Sequence, residues 1–66
     1  MIKTDELRGL IAKNNLSQAQ VAKAIGIAPK TFYEKMSKGV FGSDEIEVMI
    51  RILRIDDPAA IFFAQK

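Results

Sequence analysis

The sequence contains no cysteine and no histidine among its 66 residues. Without cysteine the chain has neither disulfides nor thiolate metal ligands, so its stability must come from packing. Without histidine it also lacks the usual residue of zinc sites and of general-base catalysis. The sequence shows no phosphate-binding glycine loop either. We therefore expect no enzyme, no metal site, no cofactor and no small-molecule ligand.

Long apolar runs are also missing, since no stretch approaches the roughly 20 apolar residues that span a bilayer. Residues 1–3 lead directly into polar Thr4 and Asp5 rather than into the apolar core of a signal peptide. We expect a soluble, cytoplasmic protein. Its length allows one domain, 1–66, with a small core, because such a chain buries only about 60% of its unfolded surface.

Charge is distributed unevenly along the chain, although the net charge is only +2. Residues 1–42 carry seven Lys or Arg and three acidic residues, whereas residues 43–66 carry three Lys or Arg and five acidic residues. A basic half is what binding to phosphates requires. Ordinary solvated faces with uneven sampling give the same pattern, so charge alone leaves both interpretations open.

The stretch 16–39 predicts two short helices joined by a tight turn. Ser17 and Gln20 have the spacing of a capping box, which predicts where the first of these helices begins. Gly26 suits the left-handed position at which that helix ends.

The second helix of the pair is predicted to begin at Pro29, whose missing N–H would have no partner in the first turn. Phe32 and Met36 are four residues apart and give this helix one inward face. A mixed set of side chains is left on the outward face: Pro29, Lys30, Tyr33, Glu34 and Ser37. Such a mixture is unusual for a helix used only in packing, but it suits a helix that enters a DNA major groove.

The pair resembles the helix-turn-helix of the lambda-repressor-like family, the Cro/CI or XRE type of transcriptional regulator. Eight positions match: Gln18, Val21, Ala22, Gly26, Ile27, Phe32, Met36 and Gly39. The resemblance implies an all-α fold, a compact bundle of five short helices with the helix-turn-helix at about 17–37. It further implies a phage or prophage regulator in the bacterial cytoplasm, which binds a double-stranded DNA operator through a recognition helix at about 29–37.

A first helix is predicted ahead of the pair, with Thr4 as its N-cap and with Asn14 and Asn15 at its end. Gly9 interrupts this helix at a cost of roughly 1 kcal/mol relative to alanine. Its predicted buried stripe consists of Leu7, Leu10 and Ile11.

Two more helices are predicted after the pair. The fourth runs from about residue 43 or 44 to residue 53 or 54, and Asp57 with Pro58 begins a short fifth helix. The glycine-containing loop that precedes the fourth helix carries Val40 and Phe41, either of which could fill the core from the side.

The resemblance and the helical spacing predict two kinds of DNA contact. Base edges would be read by Pro29, Lys30, Tyr33 and Glu34. Phosphates would be contacted by Ser17, Gln18, Lys23, Lys35 and Lys38. Structural explanations remain beside these roles, because Ser17 caps a helix in any case and because Lys30 and Glu34 could merely form a surface ion pair.

Two residues depart from the family pattern. Ala28 stands where a serine or threonine commonly caps the recognition helix, and loss of that cap costs on the order of 1 kcal/mol. Glu34 places a carboxylate on the face that would meet DNA, where it repels phosphates unless it accepts a hydrogen bond from a cytosine amino group. Without that contact, Glu34 indicates low affinity or a different partner.

Excess apolar residues in the last third of the chain predict a homodimer. The candidate interface residues are Val48, Ile52, Ile55, Phe62 and Phe63. Two recognition helices would then enter grooves about 34 Å apart. Alternatively, the last helix folds back and buries these residues within one subunit. The competing function is a small helical protein-interaction module, antitoxin-like or an anti-regulator, with an exposed apolar surface and weak DNA affinity.

Overall fold

The computed structural model describes residues 2–62, and this part of the chain is helical without any strand. The elements are α1 (Thr4–Lys13), α2 (Gln18–Ile25), α3 (Pro29–Lys38), α4 (Ser43–Ile52) and α5 (Pro58–Phe62). The predicted all-α architecture of five short helices is thereby confirmed. Within residues 2–62, no helix has both the length and the apolar character needed to cross a membrane.

A single apolar core holds the helices together. Every helix contributes to its buried side chains, which are Ile2, Leu7, Ile11, Val21, Ala22, Phe32, Met36, Phe41, Met49, Leu53, Ile55, Ile61 and Phe62. Among the described residues this core contains no polar or charged side chain. The core therefore stabilises the fold by removing apolar surface from water, which contributes about 25 cal/mol for each Å² buried.

The prediction that Thr4 caps α1 is wrong. Thr4 is already helical, and Lys3 occupies the cap position without a side-chain hydrogen bond. The Lys3 carbonyl accepts the first intrahelical bond, from the Leu7 N–H at 3.0 Å, and the Lys3 N–H donates to the carbonyl of Ile61 at 2.8 Å. The start of α1 is thus fixed by α5, a distant element that a local capping rule does not consider.

The end of α1 lies where Asn14 and Asn15 predicted it. Asn14 is the C-cap residue, and Asn15 adopts a left-handed conformation with φ of 59°. The Asn14 amide donates to the Leu10 carbonyl at 2.8 Å and to the Leu53 carbonyl at 3.3 Å. Since Leu53 follows α4, this side chain connects the C-terminal ends of α1 and α4.

The helix pair α2–α3 has the boundaries that its caps predicted. The Ser17 hydroxyl accepts from the Gln20 N–H at 3.1 Å, and the Gln20 side chain accepts from the Ser17 N–H at 2.7 Å. Gly26 ends α2 with φ of 95°, and Pro29 is the first residue of α3. Ala28 makes no side-chain cap bond. The local feature that favours the start of α3 is therefore the fixed φ of Pro29, which is already close to the helical value.

Gly26→Ala should lower the free energy of unfolding by about 1–2 kcal/mol, the penalty of a left-handed conformation for a residue with a Cβ. A Cβ at this position would meet no atom within 4 Å, so backbone strain is the reason for the loss. Urea denaturation followed by circular dichroism measures the change.

Gly9→Ala is the matched control, because the same methyl group is added in the middle of α1, where it also meets no atom within 4 Å. Gly9 does not have a positive φ, so alanine should stabilise the protein by about 0.5–1 kcal/mol. A loss of stability in both variants, or in neither, would contradict the conformational explanation.

Of the two apolar residues in the loop between α3 and α4, Phe41 is the one that fills the core. Its ring lies 5.3 Å from the ring of Phe32, centroid to centroid, at an interplanar angle of 52°. Such tilted aromatic pairs are favoured by the ring quadrupoles. Val40 remains 64% exposed. The loop therefore packs against the buried face of α3 and leaves the opposite face of that helix uncovered.

Candidate nucleic-acid interface

The four predicted base-reading residues lie on the exposed surface of α3. Pro29, Lys30, Tyr33 and Glu34 are all exposed, and Tyr33 is one of the few large apolar side chains of the described residues that is not covered. Their presentation is fixed because Phe32, on the opposite face, is completely buried. The surface ion pair considered for Lys30 and Glu34 is not among the ion pairs found in residues 2–62.

The predicted phosphate contacts of α2 lie at its two ends. Ser17 and Gln18 are at the N-terminal end, and Lys23 is exposed in the last turn. The Ser17 hydroxyl already accepts a hydrogen bond from Gln20, but its own proton can still be donated to a phosphate oxygen. Gln18 is half-buried, so it has less freedom to reach a ligand than Lys23 has.

The two lysines near the end of α3 differ in their surroundings. Lys38 is exposed and takes part in none of the ion pairs found in residues 2–62. Lys35 forms an ion pair with Glu45 of α4, with 3.2 Å between Nζ and Oε1. The side chains of this pair are only 33% and 16% exposed. The predicted phosphate contact of Lys35 therefore stays a prediction, and in this structure its ammonium is paired with Glu45 within the chain.

Glu45, the ion-pair partner of Lys35, was not predicted from the sequence as part of this interface. Its Oε1 also accepts from the Gly42 N–H at 2.7 Å, in the manner of a capping box at the start of α4. Glycine has no side-chain oxygen, so only this half of the box exists. The spacing of Gly42 and Glu45 was a usable signal for the cap, whereas nothing in the sequence indicated the pair with Lys35.

The predicted dimer residues divide into three groups. Ile55 and Phe62 are buried in the core of the single chain, because α5 packs back onto α1. Burial of these two residues within one chain is what the fold-back alternative predicts, whereas the homodimer itself stays a prediction. Val48 and Ile52 are half-buried on α4 and remain partly accessible. Phe63 lies outside the described residues.

Two further searches, for metal-binding groups in the described residues and for related proteins, identified no additional site. Within residues 2–62, no group of three or more acidic, histidine or cysteine side chains could hold a metal ion. Comparisons of the chain with family models, with curated proteins and with solved structures found no match.

Proposed function

We propose that the chain is a sequence-specific DNA-binding protein of the lambda-repressor-like helix-turn-helix class, with α3 as the recognition helix in the major groove. The supporting observation is the contrast between the two faces of α3. One face is anchored by buried Phe32 and Met36, and the other exposes the mixed set Pro29, Lys30, Tyr33 and Glu34. As the resemblance implies, the proposed setting is a phage or prophage regulator in the bacterial cytoplasm.

The exposed side chains have chemistry that can distinguish base pairs. The Lys30 ammonium donates hydrogen bonds that suit guanine O6 and N7, and the Glu34 carboxylate accepts from cytosine N4. Pro29 and Tyr33 offer apolar surface to a thymine methyl group. Three of the four residues, Pro29, Lys30 and Tyr33, lie in the first half of α3, and Glu34 follows directly; this N-terminal part of a recognition helix is the one that meets base edges.

Positioning on the duplex is assigned to groups that contact phosphates and carry no sequence information. Ser17 and Gln18 supply hydrogen-bond donors at the start of α2, while Lys23 and Lys38 supply exposed charge. A homodimer would place two copies of α3 on half-sites about 34 Å apart.

The test is selection from a random duplex library at fixed salt, followed by titration of the enriched sequence against a scrambled duplex at two salt concentrations. We expect a palindrome whose half-sites are about one helical turn apart. Weak binding without an enriched motif, and with a steep salt dependence, would reject the sequence-reading function.

A protein-interaction module is the second candidate, favoured by one region of exposed apolar surface. Val40 is largely exposed, and the next residue in the chain, Phe41, borders a shallow cleft of about 400 Å³. The cleft is lined by Phe41, Ser43, Ile46, Glu47 and Ile50. The carboxylate of Glu34 on α3 also fits a protein partner more readily than phosphates. The selection experiment separates the two candidates, because a protein-binding module has no reason to enrich one duplex.

A further inference from the structure

The ion pair between Lys35 and Glu45 differs from the other ion pairs of residues 2–62. Those pairs, Lys3 with Glu6 and Arg8 with Asp5, join residues three apart at the start of α1, and their side chains are about half exposed or more. The Lys35–Glu45 pair joins two helices and is mostly shielded from water. Screening by solvent and salt is therefore weaker for this pair than for the others.

The carboxylate of Glu45 is the fixed partner of the pair. The same oxygen, Oε1, accepts from the Gly42 N–H at 2.7 Å and lies 3.2 Å from the Lys35 ammonium. If Glu45 turned away, α4 would lose this capping hydrogen bond at its start. Lys35 has a flexible four-carbon stem, so it is the partner that can move. As long as the pair persists, the charge of Lys35 stays on the side of α3 that faces α4.

We propose that Glu45 competes with DNA phosphate for the ammonium of Lys35 and thereby limits the number of phosphates that α3 neutralises. The inference rests on the proposed DNA-binding function. Carboxylate and phosphate oxygens are both anionic acceptors for an ammonium group, so an engaged Lys35 is withheld from DNA. Each phosphate neutralised on a duplex contributes about −0.9 to the slope of log K against log salt. Glu45 thus lowers sequence-independent affinity, while the base-reading residues of α3 are left unchanged.

Glu45→Gln is the informative variant, because the glutamine carbonyl can still accept from the Gly42 N–H while the negative charge is removed. Glu47→Gln is its matched control. Glu47 lies on the same helix, is exposed, and takes part in none of the ion pairs found in residues 2–62. Unfolding midpoints of both variants verify that they are folded before binding to a random-sequence duplex is titrated over a fourfold range of salt.

The expected result is a slope steeper by about 0.9 for Glu45→Gln than for Glu47→Gln, because Lys35 gains one phosphate contact. The ratio of their affinities should then rise about 3.5-fold as salt falls fourfold. Lys35→Ala as a single substitution should leave the salt slope unchanged. When it is combined with Glu45→Gln, it should abolish the increase in slope that Glu45→Gln alone produces.

Three outcomes would overturn the inference. Equal slopes for Glu45→Gln and Glu47→Gln would show that Lys35 is not withheld from DNA by Glu45. A slope reduced by about 0.9 in Lys35→Ala alone would show that Lys35 already contacts a phosphate despite the pair. Absence of DNA binding by every variant and by the unsubstituted protein would overturn this inference together with the proposed function, whereas the first two outcomes leave DNA binding intact.

Discussion

Phe32→Ala should lower the free energy of unfolding by about 3–5 kcal/mol. The side chain is completely buried, and its ring packs against Phe41 at a centroid distance of 5.3 Å. Truncation therefore removes apolar burial, leaves a cavity and leaves the ring of Phe41 without its partner. A domain of this length has a total stability of about 3–10 kcal/mol, so the expected loss is a large fraction of the total. Urea denaturation followed by far-UV circular dichroism measures the loss.

Val40→Ala is the control for this prediction, because Val40 lies beside Phe41 in sequence but is 64% exposed. Its substitution should change the free energy of unfolding by no more than about 0.5 kcal/mol. If Phe32→Ala were as mild as Val40→Ala, the buried face of α3 would not be what anchors this helix.

Lys30→Ala should weaken binding to the selected duplex by about 1–3 kcal/mol and relax the preference at one base pair. Lys30 is exposed on α3, and it takes part in none of the ion pairs found in residues 2–62, so its ammonium is available for a guanine edge. The measurement is competition between the selected duplex and duplexes substituted at each position in turn, at one salt concentration.

Lys38→Ala is the matched comparison on the same helix, since it removes the same charge near the end of α3. Binding should weaken to a similar degree on selected and random duplexes, and the salt slope should become shallower by about 0.9. If both lysine variants affected selected and random DNA equally, the division of α3 into a base-reading part and a phosphate-contacting part would be refuted.

The features that the sequence predicted well are those decided by residues close together in the chain. The capping box of Ser17 and Gln20, the left-handed Gly26 and the N-terminal Pro29 each depend on backbone geometry within about one helical turn. The structure contains all three. The burial of Phe32 followed from helical periodicity for the same reason.

The features that the sequence could not predict depend on where distant segments meet. Lys35 and Glu45 pair only because the loop through Phe41 folds against the core and brings the start of α4 to the flank of α3. The burial of Ile55 and Phe62 depends likewise on α5 returning to α1, an arrangement that apolar composition alone did not decide. Which residues become neighbours is thus decided by the path of the chain.

The backbone hydrogen bond from Lys3 to Ile61 has a consequence for the order of folding. It joins segments near opposite limits of the described chain, so its formation closes almost the longest loop available, whereas the bonds within each helix are local. Ile2, which precedes α1, belongs to the same buried core as Ile61. The amide of Lys3 is consequently a reporter of α5 docking: its rate of exchange with solvent deuterium follows the opening of that contact, separately from the fraying of any single helix.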